Sequence, residues 1–212
     1  QDRTLTKMKT MIAKDPRNAL AAATATASLA AAHAETSVDE LIKSIRSQND
    51  EIRGEAWQNA GPIGAKAVKS LADVMHDLDF EIARSARRAI WKIVRYAGRP
   101  GAEDEARAVE SELIPLLTSE VEAIVRETLW MLSEIGGNKS VRPIAKLLTQ
   151  PAVRDDARMA LQRIPGDTSL AALRSALGSV PEDFRYNIAE ALRKRGVRIT
   201  DYPSQKLVPK PA

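Results

Sequence analysis

A spacing of apolar residues that recurs along the chain is the feature that most constrains its fold. Five segments carry apolar residues at offsets 3 and 7 from their starts, and usually also at offset 4. This spacing places the apolar side chains on one face of an amphipathic helix. Because the stripe returns about every thirty residues, the sequence predicts an array of similar helical units. The segments begin at Val38, Val68, Glu110, Val141 and Leu170.

A second helix is predicted after each of these segments, usually fourteen residues after its start. Apolar or small residues recur at offsets 4, 8 and 11 from its first apolar residue, and only Arg195 breaks the pattern at offset 11. Glycines that follow closely, such as Gly166 and Gly196, are typical of helix C-termini. The first apolar residues of the five second helices are Ile52, Ile82, Ile124, Val153 and Phe184.

The repeats are predicted to form a single domain, residues 1–198. Residues 4–35 are interpreted as a degenerate first helix pair, because a weaker apolar stripe there keeps the same register. The tail, residues 199–212, contains three prolines and no helical period. We therefore expect it to be extended, and ordered only where something holds it. The other repeats are predicted near residues 38–66, 68–98, 110–137, 141–166 and 170–197.

A family resemblance follows from the second helices. The segments starting at Ile52, Val153 and Phe184 read IRGEAWQNAGPIG, VRDDARMALQRIPG and FRYNIAEALRKRG. Their order of apolar residue, arginine, alanine and leucine resembles the HEAT-like repeats of phycobilisome lyases. The resemblance covers nearly the whole chain and implies an all-α protein, a right-handed α-solenoid of about six antiparallel helix pairs in a HEAT-like superhelix. It implies little about function, since such repeats serve lyases, scaffolds and enzymes alike.

Several kinds of chemistry are absent from the sequence. The chain of 212 residues has no cysteine, so it forms no disulfide, no zinc–thiolate site and no thiol nucleophile. Its two histidines, His33 and His76, are far apart and lack the spacing of metal ligands. The stretch GPIGAK at Gly61 lacks the glycine spacing of a phosphate loop and is interpreted as a turn between helices. We therefore expect no cofactor, no metal and no catalytic site.

Charge and targeting signals leave the compartment and the partner open. The net charge of +4 permits an anionic partner without requiring one. The segment ALAAATATASLAAAHA, residues 19–34, ends like a signal-peptidase site. It is weakly hydrophobic, follows Asp15, and is too short and polar to span a bilayer. A cytoplasmic and an exported location both remain open, and the sequence predicts no membrane span.

One arginine position recurs in the second helices, at Arg53, Arg154 and Arg185. In a stacked array such a side chain faces the neighbouring repeat and bonds a carboxylate or a carbonyl at a helix end. Asp50 and Asp183 are nearby in sequence. We interpret these arginines as a structural ladder.

The helix EIARSARRAIWKIVRYAG, residues 81–98, has a second stripe besides its apolar one. Ile82, Ile90 and Ile93 lie on the predicted core face, whereas the second stripe lies about 180–240° away from Ile82. Its residues are Arg84, Arg88, Trp91 and Arg95. None of them is expected to fill the core.

The next repeat continues this stripe. Arg126 and Trp130 hold the positions equivalent to Arg84 and Arg88, and stacked second helices bring equivalent positions side by side. At the C-terminal end, Met159, Tyr186 and Arg193 hold equivalent positions. We name the middle set the Arg/Trp patch and predict that it is a binding surface: Arg84, Arg88, Trp91, Arg95, Arg126 and Trp130.

Two structural alternatives compete with this prediction. In the first alternative, the arginines pair with Glu127, Glu134 and their neighbours, and each exposed pair contributes about 0–1 kcal/mol. In the second alternative, the tryptophans lie beneath the connection at residues 96–111. This connection is about ten residues longer than its equivalents and is expected to be a surface loop or an extra short helix.

Three functions fit the sequence. The leading interpretation is a non-enzymatic scaffold that binds a protein or peptide on its concave face, because each repeat adds surface without needing a pocket. The second is a nucleic-acid-binding protein similar to the HEAT-like DNA glycosylases, since Trp91, Trp130 and Glu127 resemble their tryptophans and carboxylate. Many acidic residues and the lack of a basic run weigh against it. The third, a chromophore-lyase-like accessory role, depends on the resemblance alone.

Overall fold

The computed structural model describes residues 37–204 of the chain, and within that range it contains α-helices and short 3₁₀ segments but no β-strand. The predicted degenerate pair, residues 4–35, lies outside the described residues. The 3₁₀ segments are Gly61–Ala67, Ile114–Thr118 and Leu147–Thr149. The α-helices are α1 (37–45), α2 (Asp50–Gln58), α3 (Val68–Val74), α4 (Phe80–Ala97), α5 (Glu103–Leu113), α6 (Glu122–Ile135), α7 (Asn138–Lys146), α8 (Arg154–Arg163), α9 (Asp167–Ser179) and α10 (Glu182–Lys194).

The helices stack in two layers. In one layer α2, α4, α6, α8 and α10 each contact the next, and in the other layer α3, α5, α7 and α9 do the same. Within a repeat the two helices pack on each other, as α3 does on α4 and α9 on α10. Each repeat therefore contacts mainly its neighbours, which is the arrangement of an α-solenoid. The predicted all-α fold class is confirmed, and the chain is a helical repeat protein.

The core lies between the layers and follows the predicted register. Ile90 and Ile93 of α4 are completely buried, as are Leu132 of α6 and Leu161 of α8. Of the predicted anchors, Ile82, Ile124, Val153 and Phe184 are buried. The prediction is wrong for Ile52, which is 46% exposed. Its neighbour Arg53 takes the inward position in α2 instead, at 6% exposure.

The three recurring arginines bond carboxylates or carbonyls as expected, but only Arg154 reaches the neighbouring repeat. Arg53 donates to the Ser47 carbonyl oxygen at 2.5 Å and to the Asp50 carboxylate. Arg154 donates to Asp183 at 2.7 Å, which joins α8 to α10. Arg185 donates from Nε to the Val180 carbonyl oxygen at 3.3 Å. Each guanidinium thus satisfies a carboxylate or a carbonyl next to a helix start, as half-buried arginine requires.

Arg195 explains the one break in the apolar pattern. Its guanidinium donates to the carbonyl oxygens of Leu161 at 3.2 Å, Ile164 at 2.8 Å and Gly166 at 2.9 Å. Leu161 and Ile164 lie at the C-terminal end of α8, where helix carbonyls lack an intrahelical partner, and Gly166 lies in the turn that follows. A charged side chain therefore replaces the isoleucine of the other repeats because it binds the end of a neighbouring helix.

The long connection is mainly helical. Helix α5 begins at Glu103, well before the predicted helix start at Glu110. Glu110 is consequently inside the helix, and only 3% of it is exposed. Its Oε1 accepts from the Gly137 backbone N–H at 2.8 Å, from the Ser140 backbone N–H at 3.0 Å and from the Ser140 hydroxyl at 2.5 Å. This carboxylate satisfies the free N–H groups at the start of α7.

Asparagine and aspartate side chains cap the starts of α2 and α4. Asn49 Oδ1 accepts from the backbone N–H groups of Glu51 at 2.8 Å and Ile52 at 3.3 Å. Asp79 Oδ1 accepts in the same way at the start of α4, from Ile82 at 3.3 Å. Such N-caps stabilise a helix by about 1 kcal/mol.

Candidate functional site

The structure divides the predicted Arg/Trp patch between two neighbouring helices. Arg84, Arg88, Trp91 and Arg95 belong to α4, and Arg126 and Trp130 belong to α6, which packs on α4. Arg84 and Trp91 are half-buried, and the others are exposed. The six residues do not line one continuous pocket. They separate into two surface depressions and a tryptophan at the boundary with α8.

The first depression is lined by Trp57 of α2 and by Arg88, Trp91, Lys92 and Arg95 of α4, and we call it the tryptophan depression. It has a volume of about 280 Å³. The Arg88 guanidinium carbon lies 5.1 Å from the centre of the Trp57 ring, and Lys92 Nζ lies 5.9 Å from the same centre. The Arg95 guanidinium carbon lies 5.0 Å from the centre of the Trp91 ring. Three cations are therefore arranged on two indole faces.

Trp57 and Lys92 were missing from the predicted patch. The positions of the second repeat that are equivalent to Arg84, Arg88 and Trp91 are Gly54, Gln58 and Gly61, which lack such side chains. The sequence does contain a signal for Trp57. Around α2 it lies about 140° from Ile52, whereas Trp91 lies about 180° from Ile82 around α4, so the two side chains differ in direction by only about 40°. Lys92 lies one turn after Arg88, which places both cations over the same ring.

Trp91 is tied to the next repeat. Its indole Nε1 donates to Oε1 of Glu127 in α6 at 2.5 Å, and its ring packs partly against the core. The expectation that Trp91 stays clear of the core is therefore wrong in part. Glu127 of the next second helix, rather than the connection at residues 96–111, is the acceptor of this hydrogen bond.

Trp130 repeats this relationship one unit later. Its Nε1 donates to Asp156 Oδ1 of α8 at 3.0 Å, yet 43% of the residue remains exposed. Glu127 and Asp156 hold the same position in their helices, three residues after the first apolar residue. The carboxylate of each following helix thus orients the tryptophan of the one before it.

Arg84 and Arg126 line a second depression, with Phe80 and Val121 at its rim and a volume of about 360 Å³. Both arginines have carboxylate partners on their own helices. Arg84 binds Glu81 at 2.9 Å and Arg126 binds Glu122 at 2.8 Å. Arg126 also donates to the Ala152 carbonyl oxygen at 2.6 Å. These pairs match the ion-pair alternative better than a free cationic surface.

At the C-terminal end, residues 199–204 of the chain lie on α10. Arg193 donates to the backbone carbonyl oxygens of Tyr202 at 2.7 Å and Ile199 at 3.5 Å. The rings of Tyr186 and Tyr202 meet edge to face with 5.7 Å between their centres. The Ser204 hydroxyl donates to Glu190 Oε2 at 3.0 Å. This part of the tail is not helical, and α10 holds it through these contacts.

The positions that hold the tail are those of the predicted patch. Tyr186, Glu190 and Arg193 lie two, six and nine residues after Phe184. Arg84, Arg88 and Trp91 lie at the same distances from Ile82. Tyr186 and Arg193 were predicted as equivalent positions from the sequence, whereas their contacts with the tail were not.

Arginines keep several carboxylates on the even-numbered helices ionised. The hydrogen bond from Arg193 lowers the pKa of Glu190 below its usual 4.5, and the Ser204 hydroxyl lowers it further. Arg158 lowers the pKa of Asp155 below 3.8 in the same way, and Arg154 that of Asp183. Because a lowered pKa favours the charged form, these groups are ion-pair partners and not proton donors at neutral pH.

Neither a metal site nor a membrane-spanning helix is found between residues 37 and 204. No group of three or more histidine, aspartate or glutamate side chains there is placed to hold a metal ion. No helix of that part of the chain is both long enough and apolar enough to cross a membrane.

Comparisons with known proteins give only distant structural likeness. No protein-family model matches the sequence, and no curated protein matches it significantly. One engineered protein is 22% identical with a TM-score of 0.40, over 74% of this chain and 78% of that one. A designed armadillo repeat protein in complex with the peptide (KR)4 is 19% identical with a TM-score of 0.41, over 73% of this chain and 80% of that one. These TM-scores are too low to support a conclusion about function.

Proposed function

We propose that this protein is a non-enzymatic HEAT-like scaffold that binds an extended segment of a partner protein. The binding surface is the exposed face of the even-numbered helices, predicted to be concave. In the middle repeats it comprises Arg88, Trp91, Arg95 and Trp130 of the Arg/Trp patch, together with Trp57 and Lys92. Arg84 and Arg126 border this surface.

The observation that carries the proposal is the position of the chain's own tail. Residues 199–204 form a non-helical segment with a bend at Asp201 and Tyr202, and α10 holds them by hydrogen bonds to two backbone carbonyls and by one aromatic contact. Backbone carbonyls are common to every peptide, so Arg193 binds the segment without requiring a particular side chain. The same face therefore suits non-helical peptide segments, and the side chains at equivalent positions set which peptide each repeat accepts.

The middle repeats carry side chains suited to such an interface. Tryptophan and arginine are enriched where binding energy concentrates, because both combine a large contact area with directed hydrogen bonds. Trp130 is 43% exposed although its Nε1 is hydrogen-bonded, so its ring remains available for contact. A partly exposed tryptophan with an oriented ring loses little conformational freedom on binding.

Peptide display tests this function. A random library of linear dodecapeptides is selected on the immobilised protein, and enriched peptides are measured against Trp57→Ala, Tyr186→Ala and Arg174→Glu. Arg174 is exposed on α9 in the other layer and provides the control. We expect peptides that bind wild type and Arg174→Glu equally and lose at least about tenfold affinity for Trp57→Ala or Tyr186→Ala, as hot-spot residues do.

Two results would contradict the proposal. One is a library that yields no enriched peptide, and the other is a set of peptides whose affinity is the same for all three variants. Circular dichroism of each variant confirms that a loss of binding does not reflect unfolding.

A further inference from the structure

We infer that the tryptophan depression selects an acidic peptide segment, in which carboxylates bind Arg88 and Lys92. This inference rests on the proposed function and specifies the chemistry of the partner. It assigns a ligand class to Trp57, Arg88, Trp91, Lys92 and Arg95 as one site.

Two cations of the tryptophan depression, Arg88 and Lys92, have no carboxylate partner among the residues that the structure describes. Among residues 37–204, no carboxylate oxygen lies within 4.0 Å of Arg88 or Lys92. Other arginines of the same layer are paired closely, such as Arg158 with Asp155 at 2.8 Å and Arg193 with Glu190 at 3.1 Å. Arg88 and Lys92 are exposed and stand side by side, one helical turn apart. Two adjacent like charges favour an anionic ligand between them.

The cations of the tryptophan depression are already oriented by the indole rings. Arg88 and Lys92 lie over the face of Trp57, and Arg95 lies over the face of Trp91. An aromatic face attracts a cation through its quadrupole and does not neutralise its charge. A guanidinium that stacks on a ring keeps its N–H edge free, and that edge matches the two oxygens of a carboxylate. A carboxylate therefore binds here without first ordering a flexible side chain.

The positive region of the tryptophan depression ends at α6. Arg95 approaches Glu134 at 3.7 Å, and Glu127 lies beside Trp91, so carboxylates of α6 border the depression on that side. A nucleic acid strand that continued from α4 to α6 would meet these carboxylates after a few phosphates. A short acidic peptide segment does not have to cross α6, because only one or two of its residues need to face the cations. The indole rings provide apolar walls for the residues beside them.

The last repeat shows how the same position selects a different ligand. Glu190 holds the position of Arg88 and accepts from the Ser204 hydroxyl of the tail. A negative group at that position suits a hydroxyl or a cation, whereas Arg88 suits a carboxylate. The selectivity thus changes along the face with the charge of one side chain per repeat.

An extension of the peptide-display experiment tests the inference. The library selected on wild type is sequenced beside one selected on the Arg88→Glu/Lys92→Glu double variant. The most enriched wild-type peptide is then synthesised with its acidic residues, and again with asparagine and glutamine in their place. Fluorescence anisotropy measures both, together with a ten-nucleotide oligothymidine.

We expect aspartate and glutamate to be enriched over the library in peptides that depend on Trp57, and not in those selected on the double variant. The amide peptide should bind at least tenfold more weakly, the double variant should lose the same factor, and Arg174→Glu should lose none. Trp57-dependent peptides without acidic enrichment, or an amide peptide that binds within twofold, would overturn the inference and leave the proposed function standing. If oligothymidine binds through Arg88, and binds more tightly than the peptide does, the inference is overturned in favour of a nucleic-acid ligand. A library with no face-dependent peptide would remove both proposals.

Discussion

The indole Nε1 of Trp91 donates a hydrogen bond of 2.5 Å to Oε1 of Glu127 and joins α4 to α6. Trp130 and Asp156 repeat this link between α6 and α8. A tryptophan of the candidate face is therefore also part of the packing between repeats. Its substitution affects stability as well as binding, and the two effects have to be measured separately.

Trp91→Phe and Trp91→Ala separate the hydrogen bond from the ring. Phenylalanine keeps an apolar ring on the core and removes the donor to Glu127, so we expect a loss of about 1 kcal/mol in the free energy of unfolding. Alanine also removes the packing and the ring beneath Arg95, so we expect about 2–4 kcal/mol. Urea denaturation measures both values. The sequence pattern predicts that Trp91 does not fill the core, and an unchanged midpoint for alanine would restore that interpretation.

Ile90→Asp tests the register of the core. Ile90 is completely buried in α4, so an aspartate there places an unpaired carboxylate in the interior and should destabilise the protein by several kcal/mol or prevent soluble expression. Lys92→Asp is the matched control, because Lys92 is exposed on the same helix. Thermal unfolding by circular dichroism provides the comparison. Equal melting temperatures for the two variants would be incompatible with the core described above.

Glu110→Ala and Glu110→Gln test the buried carboxylate at the start of α7. Alanine leaves the backbone N–H groups of Gly137 and Ser140 without their acceptor, at a cost of about 1–3 kcal/mol for each unsatisfied group. Glutamine keeps one carbonyl oxygen in the same place, so its cost should be less than half that of alanine. Urea denaturation at pH 7 measures the difference. Similar losses for the two variants would mean that the negative charge matters more than the hydrogen bonds.

The docked tail predicts a dependence of stability on pH. A chain ending at Arg198 lacks the Ile199 packing and the partners of Arg193 and Glu190, so its melting temperature should fall about 3–6 °C below that of a chain ending at Ser204. Because Ser204 contributes to lowering the pKa of Glu190, that pKa should rise in the shorter chain and stay below 4.5 through Arg193.

The sign of the pH effect follows from this lowered pKa. A carboxyl group with a lowered folded pKa stabilises the fold above its usual 4.5, and the contribution is lost as the pH falls through the folded value. The stability difference between the two chains should therefore be largest at pH 7 and smaller at pH 3. Melting curves at both values measure it, and NMR titration of the Glu190 side chain measures its pKa. A difference that grows on acidification would contradict the assigned contact.

The sequence predicted what depends on periodicity. The stripe through Ile90 and Ile93, the recurring arginine position of Arg53, Arg154 and Arg185, and the exposed side of α4 follow from spacing within one helix or from one repeated position. The exposed Ile52, the buried Glu110 and the position of Trp57 under Arg88 do not follow from spacing. Each depends on the rotation of one helix against another, or on a contact between residues some thirty positions apart. Such contacts are set by packing between repeats, which the apolar pattern of a single helix does not encode.

The indole N–H resonances report most directly on the central claim, that the face of the even-numbered helices binds an extended peptide. The chain contains three tryptophans, Trp57, Trp91 and Trp130, and all three lie on even-numbered helices. Each indole signal in a ¹⁵N correlation spectrum is assigned from its Trp→Phe variant and followed while a display-selected acidic peptide is added. We predict that the Trp57 and Trp91 signals shift and saturate with the measured affinity, and that the Arg88→Glu/Lys92→Glu variant loses these shifts. A peptide that binds while all three signals stay in place would contradict the account.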